Sequence, residues 1–448
     1  MSNIVIDEGL KHEIKLRADI VQVISQYVTL KREGSLYKGL CPFHKEDTPS
    51  FVIKPKGYKD NQYGSFYCYG CHAGNREETN IGNDVIAFVM AIEDVEFMEA
   101  CQMLCDMFNI PYQLRQRDPE VDRLKQQMTN KNIAYHNYLN QNVLAMNYLV
   151  TRGVTAESIS KFRIGLVPPN EQPEWKRNRL VFGITDINYK PEKANTIAMG
   201  YRCLMGAIEA PDKMEYFPNC NKDAKYMNDA ESKIFKKSRV LYGLNYAIKP
   251  IRRMGFAIVV EGYLDVVIMH QSGFENTVAP MGTSFTDEQM DLLKRYTNQL
   301  MFFMDSDERG LEAMRKVLPK LLEKGFSILV VEAPKGLDPA DLANNLGQDK
   351  GKMSAYIRNH STPALQWCTN TALLQYESKV HKAKIEALRV VLPILDKVTH
   401  RESKIAYSSA IADKLDINAS LLEKHQEVVK PVAIVKDTFS LPQWAKNN

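Results

Sequence analysis

Residues 257–265 read Ala-Ile-Val-Val-Glu-Gly-Tyr-Leu-Asp, an apolar run that breaks abruptly into Glu261, Gly262 and Asp265. The pattern returns twice. Leu300-Met301-Phe302-Phe303-Met304 ends in Asp305-Ser306-Asp307, and Ile328-Leu329-Val330-Val331 leads on to Leu337-Asp338-Pro339-Ala340-Asp341. Short apolar runs between turn residues read as buried strands, and the amphipathic stretches between them read as helices. One such helix, residues 288–296, is announced by Thr286 and Gln289 at capping-box spacing. Strand and helix alternating through 255–346 predict a small parallel sheet with right-handed crossovers. Ligands bind at the C-terminal edge of such a sheet. Carboxylates delivered there three times predict a site for Mg²⁺ or Mn²⁺, hard cations that take oxygen ligands and keep some of their waters. A helix N-cap would explain Asp305 or Asp338 taken alone. It does not explain three clusters.

The rest of the chain narrows the chemistry. At 448 residues two to four domains are expected, and 44% hydrophobic with 25% charged residues is ordinary for a chain that buries real cores. The net charge of +4 does not announce a nucleic-acid partner, so local clustering has to. No run of about 18 apolar residues predicts a membrane span, and the acidic N-terminus lacks a signal-peptide profile. Eight cysteines without an export signal predict a reducing, cytoplasmic setting where metal binding outranks disulfides.

Cys41-Pro42-Phe43-His44 and Cys68-Tyr69-Gly70-Cys71 form two knuckles with a hairpin's length of chain between them. That is the ligand set of a zinc ribbon, and four protein ligands leave no open position, so the ion is structural. His72 is a rival to His44, but adjacent residues seldom both ligate one ion. Cys101 and Cys105 could pair on a metal or fill a helix's apolar face; the second reading is preferred. Bases and rings mix around the ribbon (Lys31, Arg32, Tyr37, Lys38, Lys54, Lys56, Phe66, Tyr67, Tyr69), as on surfaces that grip single strands. They fit an ordinary solvated face plus a ribbon's small core equally well. A helix is expected over 4–27, and the polar stretch from Arg115 to Asn130 reads as a linker. Through the middle, Arg152, Lys176, Arg177, Arg179, Arg202, Lys225, Lys236, Lys237 and Arg239 are set among hydrophobic residues, where they could meet phosphates or simply be surface charge.

These motifs resemble those of a known family. Residues 261–267 (Glu-Gly-Tyr-Leu-Asp-Val-Val), 279–284 (Ala-Pro-Met-Gly-Thr-Ser) and 305–310 (Asp-Ser-Asp-Glu-Arg-Gly) are similar to the TOPRIM motifs of bacterial DnaG-type DNA primases. Cys41-Pro42-Phe43-His44 with Thr48-Pro49-Ser50-Phe51, and Phe66 to Cys71, resemble their template-binding zinc domain. Arg152-Gly153, Arg179 to Phe182, Lys225 to Asn228 and Ile234 to Gly243 resemble their basic polymerase subdomain. The resemblance implies synthesis of short RNA primers from NTPs on single-stranded DNA, with one structural zinc and two or more catalytic Mg²⁺ or Mn²⁺. It implies Glu261, Asp305, Asp307 and Asp338 as magnesium ligands, the first three catalytic, with Asp265 near them. Arg152, Arg177, Arg179, Arg202, Lys225, Asn228 and Lys237, together with Gly262 and Tyr263, are implied as nucleotide or nucleic-acid contacts. A replicative helicase and a single-strand-binding protein are the implied partners.

An α+β multidomain chain is expected. Its parts are a zinc ribbon (1–112), a linker (113–133), a mixed α/β basic subdomain (134–254), the TOPRIM parallel-sheet core (255–346), a helical subdomain (347–428) and a short tail (429–448). The family often has a second acid two residues after the position of Asp338; here that place is Ala340, which leaves Asp341 without an assigned role. Family members also continue into a helicase-binding domain, for which the tail is too short, and this suggests a phage or plasmid version. A TOPRIM topoisomerase would need a tyrosine-bearing extra domain, and no G-x-x-x-x-G-K-S/T loop marks a fused helicase. A zinc-dependent single-strand binder is the non-enzymatic rival, disfavoured by the intact carboxylates.

Overall fold

The computed structural model describes residues 4–59, 61–75, 79, 81–113, 118–187, 195–204, 225–282, 285–304, 308–374, 380–398, 401–419 and 422. Asp305, Asp307 and the tail 429–448 lie outside them. The chain divides into two units, Met1–Pro119 and Glu120–Asn448. Among the described residues no helix is long and apolar enough to cross a membrane. Among the described residues Cys41, Cys68, Cys71, Cys101, Cys105 and Cys368 are free.

In the first unit the expected N-terminal helix is two, α1 (Glu8–Arg17) and α2 (Ile20–Ile24), because Asp19 caps a second start by accepting from the Gln22 amide. Four short strands follow: β1 (Lys31–Glu33), β2 (Leu36–Gly39), β3 (Phe51–Lys54) and β4 (Ser65–Cys68), then α3 (Val85–Ile92) and α4 (Phe97–Met107). The strands pair antiparallel in the order β1-β2-β3-β4. Alternation along β4 buries Phe66 and Cys68 and leaves Ser65 and Tyr67 partly exposed. Phe66 therefore packs with Phe43, Phe51 and Phe88 in the ribbon's small core, the second of the two readings for these residues. Cys101 and Cys105 are buried on α4, and burial pushes their thiols up to about 12 and about 11. They are core residues.

The second unit opens with α5 (Pro119–Leu139), so the stretch expected as a linker is helical from Pro119 on. Its inward face is Thr129, Asn132, Tyr135 and Leu139, spaced for one face of a helix. Most of that face is polar, so hydrophobic periodicity does not reveal it. Asn132 donates to the Arg163 carbonyl and accepts from the Thr196 hydroxyl, which satisfies it in the interior. Next come α6 (Val143–Thr151), α7 (Ala156–Lys161), and β5 (Gly165–Leu166), β6 (Leu180–Thr185), β7 (Thr196–Arg202) and β8 (Tyr226–Asn228), an antiparallel sheet in that order.

The expected parallel sheet follows. After β9 (Leu241–Tyr242) and α8 (Leu244–Met254) run β10 (Ala257–Val259), α9 (Tyr263–Gln271), β11 (Thr277–Pro280), α10 (Asp287–Lys294), β12 (Gln299–Met304), α11 (Glu308–Glu323), β13 (Ser327–Glu332), α12 (Pro339–Asn345), α13 (Lys350–His360) and β14 (Ser361–Pro363). Strand order is β14-β13-β12-β10-β11-β9. The four central strands are parallel, and the antiparallel edges β9 and β14 come from outside 255–346. Successive residues serve opposite faces. Ile258, Met301, Phe303, Leu329 and Val331 join one core, and Ala257, Val259, Leu300, Phe302, Ile328 and Val330 the other. Each such large side chain, fully buried, stabilises by about 1.5–3 kcal/mol. The helices α14 (Ala364–Leu374), α15 (Val380–Leu395) and α16 (Arg401–Leu415) supply Trp367, Val391 and Leu415 to the second core. Among the described residues they share the sheet's interior.

Candidate metal centre and nucleic-acid interface

In the first unit, one ligand atom each from Cys41, His44, Cys68 and Cys71 lies within 4.8 Å of all the others. Cys41 Sγ and Cys71 Sγ are 3.7 Å apart, and Cys68 Sγ is 3.8 Å from His44 Nδ1. A tetrahedral zinc with bonds of about 2.0–2.3 Å has edges of roughly 3.5–3.8 Å. The residues fit the ion. His72 stands apart, in a left-handed conformation (φ 61°), with its Nδ1 2.8 Å from the Tyr67 hydroxyl.

Glu46 builds the layer behind the ligands. Its Oε1 accepts from the amides of Cys41 (2.7 Å) and Ser50 (3.1 Å). Its Oε2 accepts from the Ser50 hydroxyl (2.5 Å) and lies 3.2 Å from His44 Nε2. With Nε2 engaged there, His44 turns Nδ1 toward the Cys68 sulfur, and Nδ1 is the nitrogen that would bind zinc. Gly70 makes room, since a Cβ would sit 2.7 Å from His44 Nε2 and 3.0 Å from Ser50 Oγ.

In the second unit, Glu261 is exposed at the C-terminal end of β10, and Asp305 and Asp307 follow β12 in sequence. Asp265 is only 7% exposed and ties two acidic turns together. Its Oδ2 accepts from the Gly262 amide at 3.0 Å and its Oδ1 from the Ala340 amide at 3.3 Å. Asp338 Oδ1 caps α12, accepting from the Asp341 amide at 2.6 Å, so the capping role holds for this acid. Its Oδ2 is 3.5 Å from Arg152 Nη2, while Asp341 Oδ1 is 3.2 Å from Arg152 Nη1. Glu261 and Asp338 carry carboxylate oxygens, the donor type that magnesium prefers. Among the described residues the zinc ligands are the only group of three or more that converges so closely.

The basic residues divide into three settings. Arg202, buried at the end of β7, has its guanidinium 5.1 Å from the Tyr148 ring and 5.3 Å from the Tyr226 ring. Its Nη1 donates to the Tyr226 hydroxyl (2.9 Å), its Nε is buried without a partner, and no carboxylate among the described residues pairs with it. The Tyr148 hydroxyl is likewise buried and unpartnered. Burial, then the charges of Arg202 and Arg152, hold the Lys225 ammonium below its usual range, which places three cations together beside Asp338 and Asp265. Arg179 is wholly buried, donating to the Trp175 carbonyl. It has no surface with which to meet a phosphate directly. Arg177 donates to the Glu171 carbonyl and pairs with Glu174. Lys237 is exposed near Gly282. Asn228 spends both amide atoms internally, donating to the Met281 carbonyl (2.7 Å) and accepting from the Tyr263 hydroxyl. Tyr263 itself is buried against Phe182, Tyr226 and Tyr242.

Sequence reasoning missed Glu46, Tyr148 and Tyr226. Glu46 stands two residues after His44, and Tyr148 one helical turn before Arg152, so local spacing offered a signal for both. Tyr226 needed the β7–β8 register, in which it faces Arg202.

Family models match a CHC2 zinc finger over residues 6–120, a DNA primase catalytic core N-terminal domain over 174–248 and a Toprim-like domain over 258–343. Fold and sites thus define a zinc-ribbon, Toprim-containing protein of the primase class. The DNA primase of Clostridium acetobutylicum is 30% identical over 442 residues, covering 93% of this chain and 69% of that protein. That of Aquifex aeolicus is 31% identical over 349 residues, covering 75% and 67%. The crystal structure of the Aquifex aeolicus primase zinc-binding and RNA polymerase domains aligns with a TM-score of 0.53 at 27% identity, covering 93% of this chain and 99% of that one. A DnaG primase catalytic domain bound to single-stranded DNA aligns over 68% of this chain and all (100%) of its own, with a TM-score of 0.52 and 26% identity. The chain belongs to the DnaG-type DNA primases.

Proposed function

We propose that the protein makes short RNA primers from nucleoside triphosphates on a single-stranded DNA template, by in-line attack of a 3′-hydroxyl on an α-phosphate that breaks the α–β phosphoanhydride bond and releases pyrophosphate. One observation carries the reading. A buried guanidinium that pairs with no carboxylate among the described residues, Arg202, lies with Arg152 and Lys225 beside the acid-bearing turns. Burying an unpaired charge is costly unless an anion joins it, and a nucleotide phosphate is the anion this reaction brings.

Glu261, Asp305, Asp307 and Asp338 would hold the divalent ions, with Asp265 fixing the turns that carry two of them. Bound there, magnesium would stabilise the attacking and leaving oxygens. Glu261 would also help take the proton of the 3′-hydroxyl. Arg152, Arg202 and Lys225 would hold phosphates, and Arg177 and Lys237 the template backbone. Arg179, Asn228, Gly262 and Tyr263 act by shaping the site, since their polar groups are buried or already engaged. The remaining contribution is positioning and fixed charge. The zinc ribbon would hold the template, in the cytoplasm, and a replicative helicase and a single-strand-binding protein complete the partners.

Labelled-NTP assays on a single-stranded template test this. Glu261→Gln and Asp305→Asn should each abolish primer synthesis while leaving the melting temperature in place. Full synthesis by either variant would sink the metal assignment.

A further inference from the structure

The turn bearing Asp338 and Asp341 grips Arg152 at both ends. From α12, Asn344 Nδ2 donates to the Arg152 carbonyl at 2.9 Å. The next carbonyl, that of Gly153, accepts from Gln348 Nε2 at 2.7 Å and from Gln271 Nε2 at 2.8 Å. Gly153 has a φ of +76°, and a Cβ on it would lie 2.3 Å from Asn344 Oδ1, so only glycine permits this approach. At the far end of the side chain, Asp341 takes one Nη and Asp338 the other, at 3.2 and 3.5 Å. Asp341 and Asn344 are spaced three apart, which puts both on one face of α12, and Asp338, its N-cap, adjoins them. That face is turned to a single arginine.

We propose that Asp341 is a positioning residue: it fixes the Arg152 guanidinium for a nucleotide phosphate and does not itself ligate a metal. This rests on the reading of Arg152 as a phosphate contact. The side chains of Arg152, Asp338 and Asp341 are each less than about a third exposed (28%, 29% and 33%), so the pairs are shielded from solvent but open to a ligand. The phosphate could belong to the incoming triphosphate or to the template, whose chemistry is shared.

The sign of the effect separates positioning from plain charge. Deleting a carboxylate beside an arginine raises the local positive potential, which by itself tightens anion binding. A positioning role predicts the opposite. Binding of a fluorescent ATP analogue and of a fluorescein-labelled single-stranded oligonucleotide is measured by anisotropy in EDTA, with the full chain. Asp341→Asn should weaken binding roughly three- to tenfold, the scale of one partly shielded ion pair. Asp341→Glu should recover most of the loss. The arm that weakens identifies which phosphate Arg152 meets. In primer synthesis the NTP or template KM should rise by the same factor, with the magnesium dependence unchanged. In an Arg152→Ala background Asp341→Asn should have no further effect.

Unchanged or tighter binding in EDTA, with a raised magnesium requirement, would overturn the proposal and make Asp341 a metal ligand. If Arg152→Ala weakens binding and Asp341→Asn does not, the clamp fails alone. If Arg152→Ala leaves both ligands bound as before, the phosphate reading fails and takes the clamp with it.

Discussion

A guanidinium held between two tyrosine rings is desolvated with no carboxylate among the described residues to offset it, a cost that an arriving anion would relieve at Arg202. Replacing it by methionine, which fills similar space, should leave the melting temperature unchanged or higher. Primer synthesis should show an NTP KM raised at least about tenfold, the loss of one charge-assisted phosphate contact. A lowered melting temperature with unchanged KM would show a merely structural arginine. His270 makes the opposite bargain. It is fully buried, Nε2 lies 2.8 Å from the Thr277 carbonyl, and Nδ1 has no partner, so a second proton would be stranded. Burial lowers its pKa from 6.5 to about 4. Below 6.5 the unfolded chain takes up a proton that the folded chain refuses until about 4. The stability of the neutral imidazole is therefore complete above that window and lost on descending through it, by about 3 kcal/mol. Urea unfolding from pH 7 to 4 should show a shallower decline in His270→Gln than in the parent.

At the scale of elements, the zinc knuckle depends on a residue that is not a ligand. Glu46 joins the backbone of the first knuckle to Ser50 at the approach to β3 and faces His44 Nε2. Glu46→Gln should weaken zinc retention by roughly 10–100-fold, the usual cost of losing an outer-shell carboxylate. Chelator competition followed by a colorimetric metal indicator measures this directly, and parental retention would remove Glu46 from the account. The helix α5 shows where element-level reading fails. Its buried stripe contains Thr129 and Asn132, which hydropathy scores as surface. The caps were far more legible: Thr286 accepts from the Gln289 amide (3.2 Å) while Gln289 Oε1 accepts from that of Thr286 (3.0 Å). A cap works within four residues, so its chemistry is written locally.

For the whole molecule, two units with separate cores predict separable stability. Zinc binding energy is folding energy for a small ribbon. Cys68→Ser should therefore release zinc and lower one calorimetric transition while the transition of the Toprim unit stays in place. A single transition, shifted as a whole, would contradict that independence. The variant should also lose template affinity and start-site choice in primer assays.

The alternation of strand and helix, the ligand spacing of the zinc knuckles and the acids at strand ends were all legible in the sequence. Each depends on residue types at short separation. Which cations are exposed was not. Arg177, Arg179 and Arg202 look alike in sequence, yet Arg179 is sealed under Trp175 and Arg202 is buried against Tyr148 and Tyr226. The edge strands β9 and β14, and the grip of α12 on Arg152, join segments far apart in the chain. Sequence by itself determined the periods, caps and donor types, because those are local properties. Only the tertiary structure decided burial and pairing, because a charge's cost and its partner are set by whichever distant segment packs against it.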